Sequence, residues 1–199
     1  VPVDTPPCVD VTGGVNHVCS LDAAGGLTCW GDNSYTQRNV PVPLGTVTQV
    51  AAGGLHTCAL DTDANVTCWG SNGSGQTNVP GTLGDVIQVE AGYAYTCALE
   101  AAGTVHCWGD NYYGQANVPP GLGTVVQLEA GLYHACAINN VGQVRCWGNS
   151  GAYANLSSMP GGFAVARVSA GSAQTCVASV NNHVSCYGAG LGTGTPTGV

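Results

Sequence analysis

The sequence predicts an all-β fold assembled from five copies of one short unit. Ten of the eleven cysteines form five pairs, and the members of every pair are ten residues apart. The first members of successive pairs follow at intervals of 39, 39, 39 and 40 residues, which is the period of a structural repeat. The pairs are Cys19 and Cys29, Cys58 and Cys68, Cys97 and Cys107, Cys136 and Cys146, and Cys176 and Cys186. We place the repeats at about 9–47, 48–86, 87–125, 126–165 and 166–199, within a single domain of residues 1–199.

Within each repeat, two cysteine-bearing runs flank a polar turn, which predicts a β-hairpin. In the second repeat the runs are 56–60 and 66–70, and the turn between them is centred on Asp63. Cys58 and Cys68 are equidistant from that centre, so they face each other across the strands. Directly opposed residues lie about 4.5 to 5.5 Å apart, a separation that a disulfide can span. We therefore predict five disulfides, each within one repeat.

Two other roles for the paired cysteines stay open on the sequence alone. The His-x-Cys pattern at His17, His56 and His134 could place metal ligands on one strand face. The Cys-x-x-Cys spacing of a zinc site is missing, so we expect no metal. Buried free thiols would act as small hydrophobic residues. Cys8 has no partner at the repeat spacing, which leaves a free thiol, an irregular partner or a bond to another subunit.

Composition indicates an extracellular protein that does not bind nucleic acid. The chain has a formal net charge of −8, and its three basic residues are all arginines. Binding to a nucleic-acid backbone requires clustered Lys and Arg, which this chain lacks. Many regularly spaced cysteines are typical of an oxidising compartment, so we predict secretion. No apolar run approaches the roughly 18 residues of a membrane span.

The acidic residues are confined to the first part of the chain. All eleven lie at or before Glu129, so residues 1–130 carry one arginine against eleven acids, whereas residues 131–199 carry two arginines and no acid. From this asymmetry, the low charge elsewhere and the unpaired Cys8, we predict a structural subunit that associates with copies of itself head to tail. Heterologous contacts that do not close a ring extend into filaments.

The rest of the repeat is as regular as its cysteines. The pattern Gly-Gly-x-His-x-x-Ala-Leu, then Val-x-x-Trp-Gly-x-Asn-x-x-Gly-Gln, then Val-Pro resembles the repeat of the regulator of chromosome condensation family. It is also similar to the repeat of the bacterial propeller-type β-lactamase inhibitors. The glycines are Gly14, Gly53, Gly92, Gly131 and Gly171, the Trp-Gly pairs begin at Trp30, Trp69, Trp108 and Trp147, the glutamines are Gln37, Gln76 and Gln115, and the Val-Pro pairs begin at Val40, Val79 and Val118.

This resemblance covers about residues 9–196 and implies a β-propeller of four-stranded blades, of which this chain would have five. We expect a closed ring of about 39 residues per blade, with an open arc as the alternative. Repeats four and five depart from the pattern, because Ala154 stands in place of the glutamine and Tyr187 in place of the tryptophan. Terminal repeats of an array are often atypical, because they face closure or solvent.

The sequence gives no support for catalysis. It contains no hydrolase, metalloprotease or phosphate-binding motif and no lysine for a Schiff base, so we expect neither an enzyme nor a cofactor. The exchange activity of the family's namesake on a small GTPase is not expected of a secreted, disulfide-bonded chain. We expect the recurring tryptophans to pack between blades and the recurring histidines to be hydrogen-bonded structural residues.

The loop after Trp-Gly is the candidate binding face, because it varies on a constant scaffold. Tyr35, Tyr112, Tyr113 and Tyr153 would form an aromatic surface for another extracellular protein, as in a secreted inhibitor. Alternatively, the Asp and Asn residues of the loop only make turn hydrogen bonds. A lectin with five weak sugar pockets is a further alternative. Sequons at Asn65, Asn72 and Asn155 predict N-glycosylation, although chance matches are expected in a chain rich in Asn, Ser and Thr.

Overall fold

The computed structural model describes residues 7–149, 164–181 and 183–188. These residues form fifteen strands in five three-stranded antiparallel sheets, and they contain no helix. Each sheet holds the strands of one repeat in chain order, so the order is first, second, third in every case. The predicted all-β fold of five repeats is confirmed. We name the sheets blades one to five.

Every blade consists of an inner, a middle and an outer strand. Blade one contains β1 (Cys8–Gly13), β2 (His17–Asp22) and β3 (Leu27–Gly31), and blade two contains β4 (Val47–Ala52), β5 (His56–Asp61) and β6 (Val66–Gly70). Blade three contains β7 (Val86–Ala91), β8 (Tyr95–Glu100) and β9 (Val105–Gly109), and blade four contains β10 (Val125–Ala130), β11 (His134–Asn139) and β12 (Val144–Gly148). Blade five contains β13 (Val165–Ala170), β14 (Gln174–Ser179) and β15 (Val184–Gly188).

Each blade has one strand fewer in the described residues than the four predicted. In blade one the segment after β3 forms consecutive turns instead, in which the Thr36 N–H donates to the Asn33 carbonyl at 3.0 Å and the Asn39 N–H donates to the Thr36 carbonyl at 3.0 Å. The segment then reaches its Val-Pro pair, and proline cannot donate to a strand ladder. In blades one to three the sequence after Trp-Gly therefore forms a connection rather than a fourth strand.

The middle and outer strands pair in the predicted register. In blade two Cys58 lies opposite Cys68, and Leu60 lies opposite Val66. All five predicted pairs are disulfides, with Cα atoms 4.0–4.1 Å apart. The ten paired cysteines are therefore neither metal ligands nor free thiols. Cys8 is exposed and has a free thiol.

The blades surround one central cavity of about 240 Å³, which residues of all five repeats line. Small residues end each inner strand at this cavity, because the strands approach one another closely there. A Cβ atom added to Gly53 would lie 2.5 Å from the Gly92 carbonyl oxygen and 2.6 Å from Nδ1 of His56. The recurring glycines thus permit this close approach of the strands.

The hydrophobic core lies between blades rather than within one. Leu21 of blade one packs in one cluster with Val47, Val50 and Trp69 of blade two. Similar clusters join blades two and three, three and four, and four and five. Burial of such an aliphatic side chain contributes roughly 1.5–3 kcal/mol, so each blade depends on its neighbours for much of its stability.

Candidate functional site

A buried hydrogen-bonded set joins blade one to blade two. His17 Nε2 lies 2.9 Å from Thr57 Oγ1, and the Thr57 hydroxyl donates to the Gln37 carbonyl at 2.8 Å. The indole N–H of Trp69 donates to the same carbonyl at 2.9 Å. The recurring His, Gln and Trp residues of the repeat therefore meet at one junction between blades, as expected for structural residues.

This arrangement fixes the tautomer of the histidine. Because the Thr57 hydroxyl hydrogen points to the Gln37 carbonyl, His17 must donate from Nε2, and its Nδ1 carries no hydrogen. Burial lowers the pKa of His17, although the nearby Asp32 opposes that shift. Burial also lowers the pKa of His56 and His134 to about 4. These rings are neutral at physiological pH.

The same junction recurs with one exchange of residues. Between blades two and three, His56 contacts Thr96 at 3.0 Å, and Thr96 donates to the Gln76 carbonyl at 2.8 Å. Between blades three and four, Tyr95 stands for the histidine and Ala135 for the threonine, and the Tyr95 hydroxyl donates to backbone carbonyls of blade four instead. A larger ring thus faces a smaller partner, which keeps the junction filled.

A second set of contacts, which the sequence analysis missed, lies on the inner strands. The Gln49 side-chain amide donates to the Val89 carbonyl at 3.0 Å and accepts from the Val89 N–H at 2.8 Å. Gln88 pairs in the same way with Leu128, and Gln127 with Val168. The recurrence of glutamine every 39 residues at these positions was the signal that could have revealed this link.

Among the described residues, one side of blade one has no blade packed against it. Val11 is 60% exposed, whereas the residues at the same position of the other repeats are at most 3% exposed. Trp30 is 47% exposed, against 5–9% for the three other tryptophans. We define the blade-one face as Cys8, Val11, Val18 and Trp30. Their equivalents in blade two, which pack against blade one, are Val47, Val50, Thr57 and Trp69.

The opposite side of blade five differs in sequence from the same side of the other blades. Gln174 is exposed where the other blades have a buried histidine or tyrosine, and Arg167 is exposed at the position of Gln49. Val18 has no hydroxyl to match the threonine of the other junctions. In the described part of the chain, blades five and one therefore cannot form the His–Thr junction. Closure of the ring stays a prediction, with the open arc as its alternative.

The predicted binding loop contains polar side chains that hold its turns and tyrosines that are exposed. Its Asp and Asn side chains make turn hydrogen bonds, as the alternative role requires: Asn33 donates to Asn39 at 2.9 Å, and Asn111 donates to Asn117 at 2.8 Å. Its tyrosines point outward, and Tyr35, Tyr112 and Tyr113 are 51%, 84% and 45% exposed. Tyr153 and Ala154 lie outside the described residues.

The structure groups two of these tyrosines with two others. The Tyr113 ring centroid lies 4.9 Å from that of Tyr112 and 5.4 Å from that of Tyr133, and the Tyr133 centroid lies 5.4 Å from that of Tyr93. We name Tyr93, Tyr112, Tyr113 and Tyr133 the tyrosine cluster. Sequence analysis missed Tyr93 and Tyr133, although each lies within two residues of the recurring junction residue Tyr95 or His134.

Backbone hydrogen bonds between three loops position the tyrosine cluster. The Tyr93 N–H donates to the Leu132 carbonyl of blade four at 3.0 Å, and the Asp110 N–H donates to the Ala94 carbonyl at 2.8 Å. The Tyr113 N–H donates to the buried Gln115 side chain at 2.8 Å. Partial burial raises the pKa of Tyr133, and Tyr93, Tyr113 and Asp110 add to this shift. The cluster is thus fixed on blades three and four.

The two described sequons differ in their surroundings. Asn65 and Asn72 are both exposed. The Asn72 amide donates to Asn78 at 2.8 Å in the same turn contact that Asn33 makes, so Asn72 has a structural role without a glycan. Asn65 contacts Asp61 at 3.3 Å. Glycosylation at both remains a prediction, and Asn155 lies outside the described residues. No helix in the described ranges is long and apolar enough to cross a membrane.

Comparison with known proteins identifies the repeat. The model of the regulator of chromosome condensation (RCC1) repeat matches residues 47–76, 86–115 and 125–153. Each match runs from an inner strand through the loop after Trp-Gly. No curated protein matches the chain.

Solved structures support the same conclusion. The ectodomain of the receptor kinase CR4 from Physcomitrella patens is 30% identical with a TM-score of 0.78, and the match covers 98% of this chain and 55% of that one. The CRINKLY WD40 ectodomain of ACR4 from Arabidopsis thaliana is 24% identical (TM-score 0.72, 96% and 70% covered). Prp20p from Saccharomyces cerevisiae is 18% identical (TM-score 0.74, 91% and 58% covered).

The chain spans little more than half of the moss ectodomain, and the similarities under 25% identity concern the fold alone. The similarity to β-lactamase inhibitors stays a prediction. Five disulfides are typical of extracellular proteins, in agreement with the ectodomains among these neighbours. Three of the five repeats match the RCC1 repeat, and the five sheets share the β-propeller fold of these neighbours.

Proposed function

We propose that this chain is a secreted, non-catalytic β-propeller that serves as an extracellular structural subunit and joins copies of itself head to tail. The observation that carries the proposal is the exposure of Val11, which is buried at the same position in every other repeat. Each established junction packs one blade onto this side of the next. The equivalent side of blade five carries Ala178 where blade one has Leu21, so a second copy could pack this side onto blade one through apolar contacts, without the His–Thr bond.

Charge supports the same orientation. Residues 1–130 carry one arginine against eleven acids, whereas blade five carries Arg167 and no acid. Arg167 occupies the position from which Gln49 reaches the next inner strand. In a head-to-tail contact its guanidinium would reach the inner strand of blade one, which holds Asp10. Cys8 occupies the position of the buried Val47 in blade two, and its free thiol could form a disulfide with a neighbouring molecule.

A matched pair of variants tests this proposal. Val9 and Val11 are equally exposed on β1, but the residues equivalent to Val9, such as Ile87 and Val126, are exposed in the other repeats. We expect Val11→Asp to abolish association and Val9→Asp to preserve it. Light scattering and electron microscopy at low and moderate salt measure the outcome. A monodisperse monomer at every concentration, with the Cys8 thiol free, would overturn the proposal.

A protein-binding module, such as a secreted inhibitor, is the second candidate. The tyrosine cluster favours it, because exposed tyrosines held on a rigid scaffold are typical of protein interfaces. A multivalent lectin has less support, because the loops after Trp-Gly differ in chemistry from blade to blade. Blades two and three carry Ser74 and Tyr113 at the same position, for example. A glycan array tests the lectin alternative, and we propose that residues 1–199 form one domain in either case.

A further inference from the structure

The tyrosine cluster has a chemical character that no other described surface shares. It presents four aromatic rings, each in contact with the next, across two blades. The equivalent positions of blade two are Gly54, Leu55, Gly73 and Ser74, so the repeat does not require these rings. Tyr112 is 84% exposed and fills no core. The rings are therefore available to a ligand rather than needed by the fold.

The charges around the tyrosine cluster favour a cationic ligand. Its loops, residues 92–94, 110–115 and 131–133, contain Asp110 and no basic residue. The chain as a whole has no lysine and a net charge of −8. Aromatic faces attract cations through their quadrupoles, and a neighbouring carboxylate adds to that attraction. An anionic ligand would find no partner in these loops.

We propose that the tyrosine cluster binds an arginine side chain in an extended segment of a partner protein. This inference rests on the second candidate function, the protein-binding module, and is independent of self-association. The planar guanidinium stacks on aromatic rings and can hydrogen-bond to tyrosine hydroxyls and to a carboxylate, which an ammonium does less well. Asp110 is held in place by Gln115, whose amide donates to it at 2.6 Å.

Tyr35 provides a matched control for Tyr113. Both follow Trp-Gly by four residues, both are about half exposed, and both backbone N–H groups donate to the glutamine of their loop. Tyr35 has no ring contact with another aromatic side chain of the described residues. If substituting Tyr113 weakens binding and substituting Tyr35 does not, the loss is due to the tyrosine cluster and not to the loop.

The experiment titrates the protein with an acetylated and amidated Gly-Arg-Gly-Arg-Gly peptide and with its neutral citrulline analogue by calorimetry. We expect the arginine peptide to bind about fivefold or more tightly than the analogue. Tyr113→Ser should weaken binding of the arginine peptide about two- to fivefold, and so should Tyr112→Ser, whose side chain is 84% exposed. Tyr35→Ser should leave the affinity unchanged. Thermal unfolding confirms that each variant is folded.

Three outcomes would overturn the inference. Equal binding of both peptides would show that charge is not recognised. Equal losses in Tyr35→Ser and Tyr113→Ser would place the ligand elsewhere. Binding of neutral oligosaccharides alone would assign the cluster to a glycan. Light scattering of the same Tyr113→Ser protein separates this result from self-association, which the variant leaves intact because the blade-one face is unaltered.

Discussion

Blades one and two have nearly the same sequence pattern, yet the same tryptophan has two different environments in them. Trp69 is 8% exposed and donates its indole N–H to the Gln37 carbonyl of the preceding blade. Trp30 is 47% exposed at the identical position of blade one. The repeat thus specifies a side chain and its direction, whereas the neighbouring blade decides whether that side chain is buried. Blade two is complete only because blade one precedes it.

The strongest test of this comparison removes each tryptophan in turn. We expect Trp69→Ala to lower the free energy of unfolding by about 3–5 kcal/mol, because it leaves a cavity between two blades. Trp30→Ala should cost about 1 kcal/mol or less, because its ring is already half exposed. Urea denaturation of both variants measures the difference. Equal losses would mean that Trp30 is buried in solution by a further partner.

The disulfides should contribute equally to the free energy of unfolding in blades one and two, whereas the tryptophans should not. The bonds Cys19–Cys29 and Cys58–Cys68 each close a loop with a sequence separation of 10. Replacing either pair by serine should cost about 3 kcal/mol in the chain-entropy model, whereas Cys8→Ser should cost less than about 0.5 kcal/mol. Denaturation of the variants checks the energies. Unreduced peptide mapping that linked cysteines of different repeats would contradict the pairing.

The exchange of His–Thr for Tyr–Ala between junctions predicts a compensating pair of substitutions. His56→Tyr alone should destabilise the chain by about 1–3 kcal/mol, because the larger ring meets the Thr96 side chain. Adding Thr96→Ala should recover at least half of that loss, since Tyr95 and Ala135 already pack in this way. A double-mutant cycle measures the coupling. Additive losses would show that the two junctions differ in backbone geometry.

The pH-dependent effect concerns Glu90, which stands where blade two has Ala51. Burial, and to a lesser degree the nearby Glu129, raise the pKa of Glu90 to about 8. The native state therefore holds a proton that the unfolded state releases above about pH 4.5, and this contribution to stability is lost as pH rises towards 8.

Glu90→Gln removes this dependence, so we expect the variant to gain up to about 3 kcal/mol over the natural chain between pH 5 and pH 8. Comparing the two proteins cancels the histidines, whose lowered pKa values act in the opposite direction. Denaturation curves at both pH values give the result. A constant difference between the two proteins would mean that Glu90 is solvated.

Much of the fold could be predicted because the repeat is local. The hairpin register around Asp63 and the five disulfides follow from residues within about 15 positions of one another. The predicted fourth strand was wrong for blades one to three, where the described loop forms turn bonds and its proline cannot donate to a strand ladder. The tyrosine cluster was predicted only in part, since Tyr93 and Tyr133 meet through a backbone bond between two blades.

The sequence by itself determined the repeat, the hairpins and the identity of the residues that recur at each junction, because a fixed period repeats the same local chemistry. Only the tertiary structure decided which of these residues are buried, because the preceding blade covers this side of each blade. Val11 and Val50 illustrate both statements: the same residue type at the same position of the repeat is 60% exposed in one blade and 3% exposed in the other.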